Sequence, residues 1–271
     1  MRVARPLLFV LVSAVLPTLT HAQTQSSAVK DPQAVNIVQQ ALAVAGGTTA
    51  ITAIKDYTGS GNLIFHQSQD EAVHGTVTVS GRWLDQFRMD ENLPSGVRSL
   101  AFNQGHIGHK REDGTVSHFP PQEAVPSSDA FPWQAPMFAD SIAFPYLQLV
   151  TALSNPHFSV VYKGLLTVNG KSAQDVQIQQ IPPSNQDLGS FFILYHTIDF
   201  FIDPISFQVV MTQNMIPKNV VHQVWYSTYT PVSGVLVPFS ISEWMGGQKI
   251  WDIQLNQMGF NVGLQDSNFT L

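Results

Sequence analysis

Val235–Trp244 (VLVPFSISEW), the turn Met245-Gly246-Gly247-Gln248 and Lys249–Met258 (KIWDIQLNQM) decide the reading of this chain. Two strand-like segments flank a Gly-Gly turn, which is an antiparallel hairpin carrying Trp244 and Trp251. A short tail ending Asn268-Phe269-Thr270-Leu271 follows. No nucleophile, metal cluster or phosphate loop lies in the stretch. It points to a β scaffold that holds something apolar.

The opposite end of the sequence reads as an export signal. Met1-Arg2-Val3-Ala4-Arg5 is positive, Leu7–Leu16 is apolar apart from Ser13, and Thr20-His21-Ala22 is a small-x-small cleavage site. Residues 1–22 are thus expected to be a signal peptide and 23–30 a flexible leader. The apolar run is too short for a membrane span of about 20 residues. The sequence has no cysteine, which removes disulfides, thiol catalysis, Cys-ligated zinc and the lipid-modified Cys of a tethered lipoprotein. A formal net charge of −6 without basic blocks argues against nucleic acid and anionic membrane surfaces as partners. With 12% charged and 44% hydrophobic residues, the surface is lean in charge, and some apolar area is expected to serve a ligand or partner.

Between these ends, Asp31-Pro32 supplies an N-cap and a first-turn proline. Val35, Val38, Ala41, Leu42 and Ala45 form one helical stripe, and Gly46-Gly47 ends it. From Tyr57 the period becomes two: Leu63 and Phe65, then Val73, Val77 and Val79, then Trp83, Phe87 and Met89, then Leu100 and Phe102. This alternation predicts antiparallel strands. His118–Pro136 is proline-rich and reads as a loop, and Ser141–Leu153 as a second helix. Strands are expected again at Phe158–Tyr162, Leu165–Val168, Gln174–Gln180, Phe191–Ile202, Phe207–Met215 and Val221–Tyr229. Residues 31–271 read as one domain.

Chemistry-bearing clusters are sparse. His106, His109 and His118, with Glu112 or Asp113, could ligate zinc in a secreted hydrolase, but glycines at 105 and 108 favour solvated loop histidines. Asp90-Glu91 and Glu112-Asp113 are adjacent pairs, which a strand turns to opposite faces, so they read as turn and edge solubilisation rather than as an acid–base pair. No G-x-S-x-G elbow or glycine-rich phosphate loop occurs, so neither catalysis nor a cofactor is expected. What remains is apolar bulk on strands. Phe191-Phe192 and Phe200-Phe201 place large groups on both faces of one strand. A sheet apolar on both faces needs two coverings, and a curved sheet with few helices forms an apolar cavity. Phe65, Trp83, Phe87, Met89, Phe102, Phe200, Met211 and Trp225 are the expected lining residues.

The cleaved signal, the early helix ending in Gly46-Gly47, the long antiparallel sheet and the helical insertion near Tyr146–Leu153 together resemble the LolA-like family of periplasmic lipoprotein carriers and their lipid-binding relatives. Phe201-Ile202-Asp203-Pro204 resembles the family's strand and Asp-Pro turn. Asn261–Asp266 before Phe269-Thr270-Leu271 resembles its closing strand and tail. The resemblance implies an α+β fold: an unclosed antiparallel β-barrel of about ten or eleven strands, with helices plugging the concave side. It implies a soluble periplasmic carrier whose cavity takes a lipid or lipoprotein acyl chain, and the C-terminal hairpin then becomes the closing edge of the sheet. Family carriers use one arginine to gate the cavity, and Arg82, Arg88 and Arg98 all lie in plausible strands. The same fold could instead serve as an envelope stress-sensing or assembly adaptor that meets a protein partner.

Overall fold

The computed structural model describes residues 28–66, 71–84, 86–103, 106–119, 144–181, 197–216 and 219–271. The signal peptide, most of the leader, and Phe191 and Phe192 lie outside the described residues. Helix α1 (Pro32–Val44) begins as its sequence predicts: the Asp31 carboxylate accepts from the Gln33 N–H, with Pro32 in the first turn. It ends at Gly46 and Gly47, whose φ values of 116° and 89° belong to glycine. A Cβ on Gly46 would stand 2.4 Å from the Gly234 carbonyl, so this helix end presses directly on a strand turn. There the Leu236 N–H donates to the Ala45 carbonyl at 2.9 Å. Helix α2 (Thr48–Thr52) follows, and α3 (Tyr146–Ser154) lies midway along the chain.

Thirteen strands are present among the described residues. In chain order they are β1 (Tyr57–His66), β2 (Ala72–Arg82), β3 (Gln86–Leu93), β4 (Gly96–Asn103), β5 (His106–Lys110), β6 (Val116–Phe119), β7 (Phe158–Val168), β8 (Lys171–Gln180), β9 (Thr197–Ile202), β10 (Val209–Ile216), β11 (Val220–Val232), β12 (Val235–Met245) and β13 (Gln248–Phe260). They form one antiparallel sheet, β6-β5-β4-β3-β2-β1-β13-β12-β11-β10-β9-β8-β7, whose two edges do not pair. The architecture is the expected unclosed, curved α+β sheet.

Two expectations are corrected. The strand count exceeds ten or eleven chiefly because β5 and β6 (His-Ile-Gly-His-Lys and Val-Ser-His-Phe) carry no apolar alternation to mark them. Elsewhere the count falls: Phe158–Tyr162 and Leu165–Val168 are a single strand, bulged between Tyr162 and Gly164. The C-terminal hairpin is not the closing edge. It sits at the centre because β13 pairs with β1, so the first and last strands meet and the sequence-adjacent β6 and β7 become the opposite edges.

A flat sheet of this width, with strands ~4.8 Å apart, would span roughly 58 Å. The three α-helices of the described residues cannot cover that. Instead one core cluster joins α1 and α3 to side chains from β1–β4 and β7–β13, so the sheet bends round the helices. Phe144 contacts Tyr57 and Phe260 across this core, and Tyr146 meets Tyr229. On the same face a Cβ on Gly81 would lie 2.3 Å from the Tyr57 ring, which fixes glycine there. At the free edge of β7, residues 29–31 add a short parallel pairing through Val160.

Residues 261–271 cross the outer face of β2–β5. The buried Asp56 carboxylate starts this strap by accepting from the N–H groups of Val262 at 2.6 Å and of Gly263 and Leu264 at 3.2 Å. Arg82 donates to the Leu264 carbonyl and lies over the Phe269 ring, and Arg88 donates to the Thr270 carbonyl at 2.8 Å. Asp56→Ala leaves three N–H groups without their acceptor and loosens the buried Phe269. We expect a loss of ~2–4 kcal/mol in urea unfolding, with faster amide exchange confined first to residues 262–271. Unchanged exchange in that segment would show that the carboxylate does not hold the strap.

Candidate functional site

The inner, helix-facing side of the sheet follows from register. Phe65 and Leu63 of β1 share a face with Val77 and Val79 of β2, with Phe87, Met89 and Glu91 of β3, and with Arg98, Leu100 and Phe102 of β4. The pairing then brings in Ile107 and His109 of β5 and Ser117 of β6. On the other side of β1, Trp251 of β13 and Glu243 of β12 continue it. Beyond the helices this face curls round a cavity of about 630 Å³, within the 300–1,000 Å³ range of small-molecule sites. Phe65, Met89, Leu100, Phe102, Ile107, Met245, Ile250 and Trp251 give it apolar walls, and Glu91, Glu243, Arg98, His109, Lys110 and Arg111 add charge.

The eight residues expected from sequence divide three ways. Phe65, Met89 and Phe102 line the cavity. Phe87 and Phe200 lie in the packed core, and Trp83, at φ 47° in the turn after β2, packs against its margin. Met211 and Trp225 pair with one another on the outer face, in a separate small cluster with Ala173 and Phe201. Of the three arginines, only Arg98 reaches the cavity; Arg82 and Arg88 serve the strap.

Among the charged residues of the cavity, Glu91 and His109 are expected from sequence to be solvated, and Arg98 is one of the three candidate gating arginines. Asp90 and Glu91 do turn to opposite faces. Asp90 bonds Arg88 and Ser99 on the outer face, at 2.8 and 2.6 Å. Glu91 is 6% exposed on the inner one. Its Oε2 lies 3.6 Å from Arg98 Nε and makes no hydrogen bond among the described residues. Arg98 stacks 4.3 Å above the centre of the Phe65 ring. Burial pushes the Glu91 carboxyl up to about 6 against the opposing pull of Arg98, with Glu243 and Glu112 raising it further. Glu243 itself accepts from or donates to the His222 ring at 2.7 Å, and the second ring nitrogen bonds Asn214 at 2.8 Å. Both nitrogens of this buried histidine are therefore engaged in structure. His109 faces the cavity whereas His118 pairs with Gly108 and faces outward, which splits the suggested zinc cluster. Among the described residues no group of three or more His, Asp or Glu side chains is placed to hold a metal.

Because the folded protein holds a proton on Glu91 more tightly than the unfolded chain does, its contribution to stability falls as pH rises from about 4.5 to 6. Glu91→Gln removes that penalty. We expect the variant to be up to ~2 kcal/mol more stable than the wild type at pH 7.5, with the difference vanishing below pH 4.5 in paired urea titrations. A constant difference across the range would mean that Glu91 titrates normally.

The geometry defines a class: an open antiparallel half-barrel, helices on its concave side, with an apolar cavity beside them. This is a LolA-like fold. The chain is similar to a LolA superfamily protein from Nitrosomonas europaea at TM-score 0.52 and 8% identity, covering 88% of this chain and 97% of that one. It is similar also to a DUF1329 family protein from Desulfovibrio piger at TM-score 0.50 and 9% identity, covering 86% and 97%. No family model and no curated protein matches the sequence. Among the described residues no helix is long and apolar enough to cross a membrane.

Proposed function

We propose that this chain is an exported periplasmic protein that carries a lipid or lipoprotein acyl chain, by binding and release rather than by catalysis. The cavity of about 630 Å³ on the concave face carries this reading. Phe102, Met89 and Trp251 belong to its apolar lining, and the LolA-like fold and the signal-like residues 1–22 agree with it. Burying a chain of ~14 carbons at ~0.8 kcal/mol per CH₂ yields ~11 kcal/mol before the costs of association, enough for useful affinity without a dedicated polar anchor.

Native mass spectrometry of gently purified protein, with titration of a fluorescent fatty acid, tests it. An adduct of lipid mass, or saturable uptake at one site, is expected. A ligand-free spectrum together with no uptake overturns the proposal.

A further inference from the structure

We propose that the occupant of the cavity is an anionic amphiphile, whose acidic head lies against Arg98 and Arg111 while its chain runs over Met89, Phe102 and Ile107. This rests on the carrier reading above and specifies the ligand it leaves open. The observation behind it is the placement of charge.

The protein is acidic overall and has only 13 Lys and Arg residues, yet three of them line this one cavity. Cross-strand pairing explains the grouping. Register sets Leu100 opposite His109, so Arg98 and Arg111 fall side by side on the inner face at the end of β4 and β5, while Lys110, opposite Ser99, belongs to the outer face. Deeper along the same strands Phe102 pairs with Ile107 and Phe87, and the wall becomes apolar. The cavity therefore has a cationic end and a greasy end.

Arg98 is the best-organised cation. The Phe65 ring supports its guanidinium from below and Glu91 steadies Nε, an arrangement that fixes the planar fork. Its Nη groups, like the side chains of Lys110 and Arg111, make no hydrogen bond to any described residue. At pH 8 the Glu91 carboxylate offsets part of the Arg98 charge and Asp113 lies near Arg111, so the cluster attracts an acidic head through its free guanidinium donors rather than through a large net charge. Glu243 is engaged by His222, and Glu91 is a buried carboxyl whose exposed side is covered by Arg98. A carboxylate or phosphate monoester fits such a cluster through bidentate, charge-assisted bonds. A cationic head would meet the guanidinium groups of Arg98 and Arg111.

Displacement of a fluorescent fatty acid by four probes at pH 8 decides the matter: myristate, myristyl alcohol, tetradecyltrimethylammonium and inorganic phosphate. Myristate is expected to bind at least about tenfold more tightly than the alcohol, with the advantage shrinking as salt rises. Inorganic phosphate is expected not to compete, which separates an amphiphile site from a free-anion site. Arg98→Gln combined with Arg111→Gln should abolish most of the advantage of myristate over the alcohol, with an unchanged circular dichroism spectrum showing that the variant is folded. Equal binding of alcohol and myristate, preference for the ammonium, or competition by phosphate alone each overturns the anionic-amphiphile proposal while leaving an apolar carrier intact. If no amphiphile binds, the carrier reading falls with it.

Discussion

Phe200→Ala is expected to destabilise the protein by ~3–5 kcal/mol while changing fatty-acid affinity less than about twofold. Phe200 is fully buried on the inner face of β9, between Val176 of β8 and Thr212 of β10, within the cluster formed with the helices. Truncation removes most of an aromatic side chain from a site walled by β-strands on both sides. Such walls relax little, so the transfer loss and the cavity term add. Urea unfolding followed by tryptophan fluorescence, beside a fatty-acid titration, separates the two effects. Lost binding with nearly unchanged stability would place Phe200 in the ligand site and not in the core.

Leu100→Trp should act in the opposite sense. Leu100 stands half-buried on β4 with its side chain in the cavity. Over the leucine side chain an indole takes the space of ~2 more methylenes of a bound chain, worth ~1.6 kcal/mol, so affinity should fall ~15-fold. The unfolding midpoint should move little, because the larger group enters the cavity rather than a packed interior. Leu165→Trp, at an exposed position on edge strand β7, provides a control expected to bind as the wild type does. Retained affinity in Leu100→Trp would show that the ligand lies elsewhere.

These two substitutions mark where local sequence stops being informative. Period-two alternation identifies Phe65, Met89, Phe102 and Phe200 alike as inward-facing strand residues, and their chemistry is the same. Whether such a residue is packed or lines a cavity depends on whether a helix lies above it, and α1 and α3 arrive from distant parts of the chain. Met211 and Trp225 show the parity problem directly: each lies next to an inward residue, Thr212 and Val224, and one step of register places them outside. Glu91 was legible only as a charge. That it shares a face with Met89 follows from i,i+2 spacing, but its burial needs β12 and β13 to curl toward β3 and β4. Arg98 and Arg111 fall on β4 and just past the end of β5, and only pairing collects them.

By itself the sequence determined the elements whose causes are local. The Asp31-Pro32 start and Gly46-Gly47 stop of α1, the Asp203 turn whose carboxylate accepts from Ile205 and Ser206, and the hairpin at Gly246-Gly247 all depend on conformational preferences a few residues long. The choice of an antiparallel sheet too rich in apolar surface for its few helices came from the same source. Tertiary structure alone decided that the C-terminal hairpin lies at the centre of the sheet, that β6 and β7 are its edges, and that one arm of the inner face is packed while the other encloses a cavity. Those outcomes turn on which distant strands pair and on where the helices stop covering the sheet, and neither is encoded in the period of any single strand.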